Sequence, residues 1–173
     1  SNLLTHPNNV IAVEADEFDR SFLQITPYIS IVTSIDADHL DIYGTYEEYL
    51  KSFEQFVALI KPGGALIMKD GLPIKPVVQE GVKIYTYSVE KGDFHAENIT
   101  LIEGGHYRYD IVLPDGRIEG CTLGILGKVH IENSVAAVAM LWCAAQIEGK
   151  RFDKEAVRKA LREFEGVKRR MEV

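Results

Sequence analysis

Apolar residues follow two rhythms along this chain. Residues 10–13 (VIAV) and 28–35 (YISIVTSI) are short, continuous runs rich in β-branched side chains, the pattern of strands buried on both faces. Residues 44–60 (GTYEEYLKSFEQFVALI) switch period. Tyr49, Phe53, Phe56, Val57 and Ile60 recur at helical spacing there and predict an amphipathic helix. Thr45 with Glu48 three positions on is a capping-box signature, and Lys61-Pro62-Gly63-Gly64 stops the helix. Residues 65–68 predict the next strand. Strand, strand, helix, strand is the order of a mostly parallel sheet with helical crossovers.

The middle of the chain changes character. Residues 83–88, 94–102, 106–113 and 117–123 predict strands, with Gly104-Gly105 and Pro114-Asp115-Gly116 as hairpin signals between them. They predict a small antiparallel β unit spanning about residues 81–125. Residues 131–147 then predict an Ala-rich helix, apolar almost all round and so buried, closed by Gly149. Residues 153–164 predict a second helix with Asp153 as N-cap, and residues 166–173 begin a further element. The fold class that follows is α/β: a mostly parallel sheet with flanking helices plus the small antiparallel unit.

Composition narrows the function. The chain has 173 residues, 46% hydrophobic and 26% charged, which suits one domain with a real core. A net charge of −7 argues against a nucleic-acid surface, which needs clustered cations. No apolar run reaches the ~20 residues of a membrane span, and the N-terminus carries no secretory pattern, so no membrane association and a cytoplasmic location are expected. Cys121 and Cys143 have no framework spacing and read as reduced, structural thiols.

Four stretches carry candidate chemistry. The first follows the run at 10–13, where Glu14, Asp16, Glu17 and Asp19 fall within six positions. Ligands of open α/β sheets bind at the carboxyl ends of strands. This stretch is therefore either a solvated acidic turn or a place for a cation. The second, Asp36-Ala37-Asp38-His39-Leu40-Asp41, follows the strand at 28–35 and offers His39 among carboxylates. Carboxylate oxygens suit Mg²⁺ or Mn²⁺, and imidazole suits Mn²⁺ and tolerates Mg²⁺. The third, residues 127–134 (GKVHIENS), leads into the buried helix. Asn133 there caps the helix, the simpler reading, or turns its amide to an adenine edge. The fourth is Gly166-Val167-Lys168-Arg169-Arg170-Met171, three cations in an acidic chain: a solvated basic turn or a phosphate-binding site, for which Arg is the natural bidentate partner. No GxxxxGK[ST] loop and no GxGxxG occur in the sequence.

Taken together, "EADEFDRSF", "TSIDADHLDIYGTYEEY", "GKVHIENSVAAVAM" and "GVKRRMEV" resemble the central ATPase domain of the muramyl ligases, and the acidic EADE stretch resembles the alanine-adding branch. The resemblance runs from about residue 3 to residue 173. It implies a truncated P-loop-type ATPase domain over residues 1–173 that lacks its phosphate loop, a fragment of a three-domain enzyme, with Ser1-Asn2 as the remnant of a cleaved tag. It implies Glu14 and His39 as catalytic ligands of divalent cations (Mg²⁺ or Mn²⁺), Asn133 at the adenine side of ATP, and Arg170 on the nucleotide. Asp16, Glu17 and Asp38 take supporting places.

The chain departs from the family pattern at G-x-HN-x-x-N. Val129 and His130 occupy the His and Asn positions, which makes His130 a candidate stand-in on the nucleotide. A carbamylated Lys known in relatives aligns near Glu54, with Lys51 one turn away. The activity implied for the whole enzyme is ATP-dependent amide formation. The carboxylate of UDP-N-acetylmuramate attacks the γ-phosphate, and the amine of L-alanine then attacks the acyl phosphate. The fragment alone is expected to be inactive, with an exposed parallel sheet edge open to homodimer formation. The alternatives are the ligase of the same family that recycles murein tripeptide, and a non-catalytic α/β binding module.

Overall fold

The computed structural model describes residues 3–5, 10–36 and 43–166. Its strands form three groups. β1 (Leu3–Thr5) and β2 (Ile11–Val13) make an antiparallel hairpin. β3 (Ile29–Val32), β4 (Ala65–Lys69) and β5 (Lys83–Tyr87) form a parallel sheet in that order. β6 (His95–Leu101), β7 (Tyr107–Leu113) and β8 (Gly116–Thr122) form an antiparallel meander.

The parallel sheet is the divider of the molecule. Along β4, side chains alternate faces, as the period of two in a strand requires. Ala65 and Ile67 enter one apolar cluster, with α2 (Val129–Glu148) and the meander. Leu66 and Met68 enter the other, with α1 (Tyr46–Ala58) and Phe22. All four are buried, which explains the unbroken apolar run at 65–68.

α1 forms as its pattern predicts. Thr45 Oγ1 accepts the N–H of Glu48 at 3.2 Å. The reciprocal arm of the capping box is not made, because the Glu48 carboxylate pairs with Lys51 instead (2.9 Å). The buried face is Tyr49, Ser52, Phe53, Phe56 and Val57. α2 ends on Gly149 in the left-handed region (φ 62°), where the glycine N–H closes on Gln146. α3 (Lys154–Glu163) starts on Asp153, whose Oδ1 accepts the N–H groups of Glu155 and Ala156.

Three expectations change. The run at 10–13 is not a buried strand of the sheet. Val10, Ile11 and Val13 are 51, 61 and 42% exposed, and β2 pairs with β1. The nearest apolar strand in sequence is joined by a short loop, whose closure costs less entropy than a long one. Second, residues 83–87 do not belong to the antiparallel unit. β5 pairs in parallel with β4, Ile67 opposite Tyr85, and a single bridge from Tyr87 to Phe94 links it to the meander. The alternation in KIYTY resembles a hairpin strand because β5 is an edge, half open to solvent. Third, α2 is not buried all round: Val129 and Leu141 are 69 and 52% exposed.

Candidate functional site

Glu14 stands one residue past β2 and is exposed. The acidic stretch behind it is folded, not splayed. Asp16 Oδ1 accepts the N–H of Phe18 (2.9 Å), and the Asp16 carbonyl accepts Ser21 Oγ (3.1 Å). Residues 18–24 then wind into a kinked 3-10 turn, with Asp19 and Arg20 both in the left-handed region (φ 56° and 57°). Two non-glycine residues there cost of order 1–2 kcal/mol each. Phe22 anchors the far end, 3% exposed and packed on Phe53 and Phe56 with ring centroids 5.3 and 5.0 Å away.

The segment after β3 leaves from the same end of the sheet as β4, because Val32 lies opposite Met68 in parallel register. Ser34 Oγ donates to Asp36 Oδ2 (2.5 Å). His39 and Asp38 lie outside the described residues, as does Arg170. Tyr43 is buried. Its hydroxyl donates to the Glu17 carbonyl, and the Arg20 guanidinium lies 5.0 Å above its ring. The flank of the acidic stretch is thus held against the flank of the DADHLD stretch. Burial, foremost, holds the Tyr43 phenol above its ordinary pKa.

The third stretch meets the sheet through an ion pair. Lys69, last residue of β4, pairs with Glu132 in the first turn of α2 (Nζ to Oε2 2.8 Å). This sets the α2 N-terminus at the carboxyl end of β4. Asn133 does not cap the helix. The N-cap is Lys128, with no side-chain cap bond, and Asn133 lies one turn further on, exposed. Capping by Asn133 is therefore ruled out, because its side chain is too far along the helix to reach the first free N–H groups. His130, half-buried, folds over Gly127, whose backbone φ of 109° no side chain readily adopts; a Cβ there would lie 3.4 Å from its ring.

Of the fourth stretch only Gly166 falls among the described residues. After α3, the chain crosses Gly124 so closely that a Cβ there would sit 2.5 Å from the Arg162 carbonyl and press on that of Phe164. Gly124 also donates its N–H to Leu161 (3.1 Å). The end of α3 thus lies against Gly124, three residues before Gly127.

Lys51 and Glu54 are engaged elsewhere. Lys51 pairs with Glu48, and Glu54 accepts the backbone N–H of Lys75 (3.3 Å). A cavity of about 150 Å³ lies at the opposite end of the sheet, lined by Gly63, Gly64, Lys83, Tyr85, Trp142 and Cys143. It lies at the amino ends of β4 and β5, the wrong end for a ligand in a sheet of this kind. Among the described residues, no three His, Cys, Asp or Glu side chains converge as a metal cluster. The donors that are present, carboxylate oxygens beginning with Glu14, match a hard cation in chemistry. Sequence reasoning overlooked Tyr43, Arg20 and the Lys69–Glu132 pair. The aromatic two residues after DHLD was the available signal for the first.

An α/β domain with a parallel central sheet has known structural counterparts. It superposes on MurF from Acinetobacter baumannii with a TM-score of 0.61 at 21% identity, over 85% of this chain and 31% of that one. A mutant FPGS from L. casei gives a TM-score of 0.62 at 18% identity, over 80% and 34%. These likenesses speak for the fold. The sequence places the protein: the chain belongs to the Mur ligase family, matching the Mur ligase middle domain over residues 6–141. It is 48% identical to UDP-N-acetylmuramate–L-alanine ligase from Phocaeicola vulgatus, over 98% of this chain and 36% of the relative. The ligase of the same name from Parabacteroides distasonis is also 48% identical, over 99% and 36%. That from Porphyromonas gingivalis is 41% identical over 98% and 36%. The chain thus spans about a third of the length of these relatives.

Proposed function

We propose that this chain is the central, ATP-handling part, over residues 1–173, of an enzyme that joins L-alanine to UDP-N-acetylmuramate through an acyl phosphate, for peptidoglycan precursor synthesis. The observation that carries the reading is the chain of contacts between motif flanks: Glu17 to Tyr43, Lys69 to Glu132, and Gly124 to Phe164. Each ties two stretches that are far apart in sequence, and all three involve the loop ends of the fold. The relatives at 48% identity carry the substrate names.

The electrostatic difficulty of the reaction is that a carboxylate must approach a triphosphate. A bound Mg²⁺ or Mn²⁺ supplies charge neutralisation between them. In this reading Glu14 and His39 are its ligands. Arg170 holds the phosphates of ATP, Asn133 faces the adenine from the exposed side of α2, and His130 stands beside it in the first turn. Residues 1–173 contain no phosphate-cradling glycine loop, so on their own they bind ATP weakly and turn over nothing. β3 has no further strand on its outer side among the described residues. A homodimer through that edge is the expected association, read by size-exclusion chromatography at high concentration. No described helix is long and apolar enough to cross a membrane.

The test is made in the full-length parent enzyme. Glu14→Ala and His39→Ala are each expected to lower turnover by ~10²–10³, the usual loss for a pre-aligned electrostatic partner. Turnover within a factor of two of wild type for both refutes the assignment.

A further inference from the structure

We propose that Lys69 and Glu132 are a positioning pair that sets the roll of α2, so that Asn133 meets the adenine base. The inference rests on the nucleotide reading of Asn133 given above, and it concerns what fixes the bearing of that residue.

The first turn of α2 has few holds of its own. Lys128 stands at its N-cap and makes no side-chain cap bond. Its inner side is seated on the meander: Ile131 is fully buried, and Ser134 shares a hydrogen bond with Tyr109 of β7. Both contacts lie on one side, so the turn can still roll about them. Successive helix residues are rotated by ~100°. Glu132 therefore stands on one flank of the Ile131–Ser134 side and His130 on the other, while Asn133 lies outward, exposed. The flank of Glu132 is the one tied to the parallel sheet, through the 2.8 Å bond to Lys69 Nζ.

The pair is walled in at its sheet end. Lys69 closes β4 opposite Tyr87 of β5 in register, and Tyr87 is 2% exposed. Burial first, and the Glu132 charge second, raise the Tyr87 phenol above its ordinary pKa, so carboxylate and phenol lie near one another. The Glu132 side chain is only 24% exposed. A carboxylate so covered stays where it is because the ammonium meets it; without the cation it turns toward water and takes its helix turn along. Asn133 is the next residue, so its amide moves with that turn. An amide that reads the N6 amino group and N7 of adenine tolerates little misplacement.

The experiment uses the full-length parent without its carboxylate substrate, so that nothing turns over. Dissociation constants for ATP and ITP are measured by isothermal titration calorimetry with Mg²⁺ present. ITP carries a carbonyl where adenine has its amino group. Lys69→Met and Glu132→Met are each expected to weaken ATP about threefold to tenfold, the lower part of the range for coupled residues in contact. ITP should weaken less, so the preference for ATP narrows. The double variant should be no weaker than either single one, and Lys69→Arg should bind as wild type. Asn133→Ala should narrow the preference too. Val138→Ala, which loosens the same apolar cluster further along α2, should change nothing. If Asn133→Ala binds both nucleotides as wild type does, the adenine reading fails and the positioning with it. If Asn133→Ala narrows the preference while Lys69→Met and Glu132→Met match wild type, the positioning alone is overturned. It is also overturned if Lys69→Met weakens ATP and ITP alike with Glu132→Met silent, since Lys69 then acts on the phosphates by its own charge. A loss in Val138→Ala equal to that in Lys69→Met overturns it as well, because general loosening then suffices.

Discussion

Gly124 offers the sharpest test of how the end of α3 is held. Its backbone is not in the left-handed region, so a methyl group there brings no torsional cost, and its effect comes from contact alone. In Gly124→Ala the new Cβ would meet two backbone carbonyls, those of Arg162 at 2.5 Å and of Phe164. Ordinary contact begins near 3.4 Å. A shift of about an ångström is required, and the Gly124 N–H bond to Leu161 lies in the path of that shift. Overpacking of this kind costs ~1–3 kcal/mol. For a chain of this size each kcal/mol lowers Tm by ~2–4 °C, so a fall of roughly 2–12 °C is expected by circular dichroism. Gly149→Ala is the useful comparison. It has open space around the Cβ but a φ of 62°, and the torsional cost of ~1–2 kcal/mol acts there by itself. A Gly124→Ala protein that melts within a degree of wild type would refute the close approach of the end of α3 to Gly124.

Three further outcomes follow from the core and the meander. Tyr109 is fully buried and shares a 2.7 Å hydrogen bond with Ser134, which also donates to the Ile131 carbonyl. Ser134→Ala orphans the phenol and should cost ~1–3 kcal/mol in urea unfolding, more than the ~0.5–1.5 kcal/mol of Tyr109→Phe, in which Ser134 keeps its carbonyl. The Asn98 amide, first, and the Gly120 N–H hold the Asp110 carboxyl below its ordinary 3.8. A depressed native pKa stabilises above the unfolded value and is lost as pH falls through the native one. The penalty of Asp110→Asn should therefore be constant above about pH 5 and shrink below 3.8, as read by unfolding at a series of pH values. Burial pushes the thiols of Cys121 and Cys143 up to about 12, so neither should react with a thiol reagent at pH 8 until denaturant is added.

How far the sequence reaches depends on what each signal measures. Helices α1, α2 and α3 lie within a few residues of their expected limits, because period, cap and stop residues are local. The meander was equally legible from its turn glycines. Strand partners are not local. The same alternation that marks a hairpin strand marks the sheet edge at Lys83–Tyr87, and the apolar run at 10–13 carries no sign of which neighbour it pairs with. Of the candidate site, Glu14 does follow a strand, but that strand pairs with β1 and is not a buried strand of the parallel sheet. Asn133 was misread as a cap because the helix begins four residues before it, at Val129, where no capping side chain marks the start. Tyr43 escaped because a buried aromatic looks like core unless its hydroxyl partner is known.

The alternation along β4 has a mechanical meaning. Successive side chains of a single five-residue strand are keyed into separate interiors, Ile67 beneath α2 and Leu66 against α1. A slip of one position would exchange the two sets, so neither helix can loosen its seat while the strand stays in place. Any strain delivered at one layer is felt at the other through a single peptide unit, and the halves of the domain melt together.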